Sequence, residues 1–97
     1  MQDFLLLMHE DCQTPIPENR WPPYLAHLRA TGALAGGSAI GGGETLRKSA
    51  PPAPITRHLG GYIRIQANSL ADAKTLIPGN PVYEAGGTVE IRELPRE

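Results

Sequence analysis

The run Phe4-Leu5-Leu6-Leu7-Met8 constrains this chain more than any other feature. Side chains alternate along a strand, so five consecutive apolar residues place bulky groups on both faces of a sheet. Such a strand belongs in the middle of the sheet. It is covered by protein on both faces, or by helices on one and an oligomer partner on the other. With 97 residues, the chain is read as one domain, 1–97, with a modest core.

His9-Glu10-Asp11 ends the run, and Thr14-Pro15-Ile16-Pro17 reads as loop. Residues 18–31 read as helix, regular from about Trp21, because Pro22 and Pro23 fit only a first turn. Trp21, Tyr24, Leu25 and Leu28 fall at i, i+3, i+4 and i+7 and form an apolar stripe, with Gly32 as the stop. Residues 33–40 read as a weaker strand, rich in Ala and Gly, against which something packs closely. A long loop follows. Gly61 to Ala67 alternates strictly, Asn68 or Ser69 caps a short helix from Leu70 to Ile77, and Pro78, Gly79 and Pro81 break it. Gly87 to Leu94 reads as the last strand, with Glu90 and Arg92 on one face, placed to pair or to border a dimer interface.

Strands are thus expected near residues 3–9, 33–40, 60–67 and 87–94, and helices near 19–31 and 69–77. The order β-α-β-β-α-β is the split-βαβ, ferredoxin-like pattern of the α+β class. Two helices cover one sheet face only. The other predicts a homodimer, with Ile63/Ile65 and Val89/Ile91 expected to add a second apolar set to the first strand.

The formal net charge of −1 argues against nucleic acid, whose phosphates call for a basic face. Cys12 is the only cysteine, so no intrachain disulfide forms, which fits a reducing compartment. The first residues carry no basic group before a short apolar run, and no stretch is long enough to span a bilayer. A cytoplasmic protein with no membrane partner is expected.

His9 and Asp11 are the candidate acid–base pair. A carboxylate orienting one imidazole nitrogen leaves the other as a general base, and residues two apart share a strand face. The plainer reading is a solvated strand end. Arg57 and His58 together could hold an anion; the plainer reading is an exposed loop. Trp21 faces either core or pocket, and a modest pocket is expected near the end of the first strand with His9 and Trp21 beside it. His27 reads as a surface histidine. No metal or cofactor is expected: the three histidines lie on separate elements without paired spacing. Gly36-Gly37 and Gly41-Gly42-Gly43 lack the Lys-Ser/Thr of a phosphate loop.

Four stretches, in this order and spacing, carry a resemblance: Trp21, Tyr24 and Leu28; Gly32-Ala33-Leu34-Ala35-Gly36-Gly37; Leu59-Gly60-Gly61-Tyr62; and Gly86-Gly87-Thr88-Val89-Glu90-Ile91-Arg92. Together they resemble the YCII-related family, in its DGPF branch, over nearly the whole chain. The resemblance implies a dimeric α/β-barrel fold with two sheets face to face. It also implies a pocket between sheet and helices and, for some relatives, a transcription-related partner protein. Gly60, Gly61 and Tyr62 serve the fold, and Tyr62 is counted with Trp21, Arg57 and His58 as a candidate ligand contact. The family's Asp-Gly-Pro-Phe signature falls here on Ser49-Ala50-Pro51-Pro52, and its Glu, Lys and second Glu on Pro54, Thr56 and Arg57. Only one proline of the signature survives, and its charge is gone. The expected function is therefore binding of a small molecule or partner protein by a small dimeric domain. The alternative is an enzyme of undefined reaction that uses His9 and Asp11.

Overall fold

The computed structural model describes residues 1–96. It is a small α+β fold of four antiparallel strands and three α-helices. The elements are β1 (Gln2–His9), α1 (Trp21–Ala30), β2 (Leu34–Ala39), β3 (Leu59–Ala67), α2 (Leu70–Lys74), α3 (Pro81–Glu84) and β4 (Val89–Leu94). A 3-10 turn, Glu18–Arg20, leads into α1. The sheet order is β2-β3-β1-β4, every neighbouring pair antiparallel. β1 is central, as its apolar run requires.

The pairing decides what each face carries. Leu6 sits opposite Ile63 and Ile91, and Phe4 opposite Ile65. Phe4, Leu6, Met8, Ile63 and Ile65 are buried in one cluster with Tyr24 and Leu28 of α1, Ala73 of α2 and Val82 of α3. Ile63/Ile65 and Val89/Ile91 therefore join the helix-covered core. The expectation that they enrich a bare second face is corrected by this register. That second face carries Leu5 and Leu7, both half-buried, beside Arg64, Tyr62, Arg92 and Glu90. Arg64 and Arg96 reach the Asp3 carboxylate at 3.5 and 3.9 Å. The arginine ends of both pairs are exposed, while Asp3 itself is buried.

α1 opens with prolines in its first turn, where a missing N–H costs no hydrogen bond. It closes on Gly32 at φ +76°: the N–H of Gly32 donates to Arg29 O and that of Ala33 to Leu28 O, which satisfies two terminal carbonyls. The second helical region differs from expectation. α2 stops at Lys74, and α3 begins at Pro81. Pro81 was expected to break helix, but it occupies the first turn. Asn80 precedes it, and its side-chain oxygen accepts from the N–H groups of Val82 and Tyr83.

β2 and the connection through residues 40–58 are exposed along most of their length. The Cα radius of gyration is 14.9 Å, with extents of 47 × 38 × 18 Å. A compact chain of this length would measure about 12.5 Å. One sheet under one helical layer, with an exposed edge strand and a long loop, accounts for a thin and spread shape.

Candidate functional site

The helix side of the sheet is not packed throughout. Gly37 and Ala39 of β2 pair with Ile63 and Gly61 of β3, so that part of the floor has almost no side-chain bulk. A methyl on Gly37 would lie 2.7 Å from the Tyr62 carbonyl oxygen, and one on Gly61 would lie 3.1 Å from that of Ser38. The strands approach closely there, which explains the small residues. Above this floor run Trp21, Leu25 and Arg29 of α1, at i, i+4 and i+8. The result is a mostly apolar cleft of about 670 Å³, walled further by Ile16, Leu34 and Val82. Its size falls in the range of small-molecule sites, roughly 300–1,000 Å³.

The cleft reaches the end of β1 at His9 and Glu10, where the ladder is irregular. Met8 pairs with Gly61, but His9 pairs with Leu59, leaving Gly60 as an extra residue in β3. Such a bulge bends a strand and re-aims its side chains. The N–H of Glu10 donates to His58 O at 2.7 Å. A methyl on Gly60 would meet the Glu10 side chain at 3.0 Å. The two glycines of the Gly60-Gly61 pair thus have separate reasons: one is the bulge, the other the cleft floor.

His9 Nε2 lies 3.0 Å from Glu90 Oε1. A carboxylate accepts, so Nε2 carries the proton and Nδ1 is left with the lone pair when the ring is neutral. The other Glu90 oxygen accepts from Arg92 Nη1 at 2.9 Å. Arg92 first, and His9 after it, hold the Glu90 carboxyl below its usual range. The His58 ring stands edge-on to His9, centroids 4.8 Å apart.

Asp11 does not partner His9. Its carboxylate accepts from the Thr88 hydroxyl at 2.6 Å and the Thr88 N–H at 2.8 Å. Those bonds, the hydroxyl first, lower its pKa. The reason is geometric: strand alternation does not persist beyond His9, because β1 ends there. Asp11 instead fastens the turn that enters β4.

Among the other sequence-derived candidates, Trp21 lines the cleft with His9, whereas Tyr62 borders it only as part of the β3 floor, since its side chain shares the open face with Leu7. Trp21 is half-buried and lies edge-on to Tyr24 at 6.3 Å. His58 joins His9 but does not line the cleft, and Arg57 is exposed. Arg29 was not singled out from the sequence, although its spacing from Trp21 and Leu25 is visible there. The bond from His9 to Glu90 joins residues 81 apart and depends on the β1–β4 pairing. No grouping of three or more His, Cys, Asp or Glu suited to a metal occurs among the described residues. No helix among them is long and apolar enough to cross a membrane. A scan of protein-family models and a search of curated proteins both find no match to the chain.

Proposed function

We propose that this chain binds a small, largely apolar molecule in the cleft between α1 and the glycine floor of β2 and β3. The cleft itself carries this reading: about 670 Å³ of mostly apolar space beside the packed core. The antiparallel order β2-β3-β1-β4 with helices on one face supports a ferredoxin-like βαββαβ topology. It is also compatible with the resemblance to the YCII-related DGPF branch drawn from the four sequence stretches. The dimeric barrel form of that fold would cover Leu5 and Leu7 on the open face. A homodimer is accordingly part of the proposal, and Leu7→Asp should convert it to monomer in sedimentation at micromolar concentration. A wild-type chain that sediments as a monomer would remove that part.

Trp21 is the only tryptophan and lines the cleft, so its fluorescence reports occupancy. A neutral apolar dye such as N-phenylnaphthylamine should quench it saturably at one dye per chain. Ala39→Phe, which fills the exposed edge of the floor, should abolish the effect. Quenching that never saturates, or that survives Ala39→Phe unchanged, refutes the binding reading.

A second reading, an enzyme, rests on the hydrogen-bonded line Arg92–Glu90–His9. It places Glu90, not Asp11, as the group that orients His9. Under it, Glu90→Gln should depress turnover of a candidate substrate far more than Asp11→Asn does, and equal effects would remove it.

A further inference from the structure

We propose that the cleft selects an elongated apolar carboxylate, its chain laid along α1 and its headgroup at Arg29. This rests on the small-molecule reading above and adds the ligand's charge and direction. Trp21, Leu25 and Arg29 form one stripe of α1 over the cleft: two apolar side chains, then a cation. From Trp21 to Arg29 the helix advances about 12 Å, at ~1.5 Å per residue, which sets the length of the slot.

Among the described residues, the cation at the end of that slot is uncommitted. Arg64, Arg92 and Arg96 each face a carboxylate. Arg29 takes part in none of the ion pairs or side-chain hydrogen bonds formed among the described residues. It is exposed, so a headgroup bound there keeps part of its hydration and incurs little desolvation. A guanidinium also matches a carboxylate with two parallel hydrogen bonds. The last turn of a helix disfavours anions through its partial negative charge, so the guanidinium must hold the headgroup out beyond the carbonyls.

The opposite end sets the orientation. His9 and Glu10 line the cleft there, and Glu10 repels an anion placed beside it. An amphiphile with a negative head therefore enters tail toward β1 and head toward Arg29.

The test is a Trp21 fluorescence titration of the full chain with octanoate, octanol and octylammonium, all below micelle-forming concentrations. The expected order of affinity is octanoate, then octanol, then octylammonium. Arg29→Gln should weaken octanoate by roughly threefold to tenfold, a range suited to a part-exposed charge pair, and leave octanol unchanged. Arg29→Glu should invert the order of octanoate and octylammonium, and Arg29→Lys should restore part of the preference. Should a variant lose its helical circular dichroism, wild-type salt dependence decides: raising ionic strength should weaken octanoate and not octanol. Octanol binding as well as octanoate, or octanoate binding unaffected by both Arg29→Gln and salt, overturns the headgroup assignment and leaves the cleft reading standing. Failure of all three probes to bind overturns both.

Discussion

One helix, α1, behaves in two ways along its length. Tyr24 and Leu28 lie over Phe4, Leu6 and Ile65 and are 4% and 0% exposed. Trp21 and Leu25, on the neighbouring stripe of the same helix, remain half-exposed over Gly37, Ala39 and Gly61. The side chains above are similar in kind, so the difference lies in the floor. Where β1 and β3 present large groups, the helix makes core; where β2 and β3 present glycine and alanine, the same helix roofs a cleft. The apolar pattern of α1 alone does not say which stripe becomes which.

Truncation should separate the two stripes most sharply. Leu28→Ala removes a fully buried side chain and should cost about 2–5 kcal/mol. Leu25→Ala should cost about 1 kcal/mol or less, because its site is already open. Equal losses in urea unfolding would erase the distinction. Adding bulk probes the floor. Gly37→Ala forces a methyl to within 2.7 Å of a backbone oxygen and should cost about 1–3 kcal/mol. Gly61→Ala, with its closest approach at 3.1 Å, should cost less; the reverse order would mean that β2 shifts freely. A smaller effect tests the lock on the packed stripe. The Tyr24 hydroxyl donates to Leu76 O at 2.8 Å, and burial pushes its pKa up. Tyr24→Phe should cost about 1 kcal/mol, whereas Trp21→Phe should alter dye binding, read from the dye's own emission, more than stability.

The smallest effect is expected in acid, at the cleft end of β1. Thr88 lowers the Asp11 pKa in the folded chain. The folded state therefore gains from ionised Asp11 above the unfolded-state pKa, near 3.9. It loses that gain as pH falls through the lower folded value. Thermal melts of wild type and Asp11→Asn should converge as pH drops through that window. A gap that persists unchanged at the acid end would assign the difference to shape instead of charge.

Much of the packed half was legible in the residues. The run Phe4–Met8 called for a central strand, the alternation of Gly61–Ala67 gave β3, and Gly32 ended α1 where expected. The cleft was harder to read because it consists of missing side chains: Gly37 and Gly61 signal close approach without saying what lies above. α3 was hidden because Pro81 both stops one helix and starts another, and only the side chain of Asn80 tells which. The partner of His9 depended on strand pairing. Asp11 is near in sequence, yet Glu90 is near in space, and local spacing cannot rank the two.

The extra residue at Gly60 makes β3 a strand with two phases. Residues after it alternate in step with β1, and residues before it are offset by one position. The bulge absorbs that offset: with Gly60 set aside, Leu59 stays opposite His9 while Gly61 stays opposite Met8. The strand end that carries His58 beside His9 is thereby held against β1 by its own pairing, in a phase separate from that of the apolar core downstream.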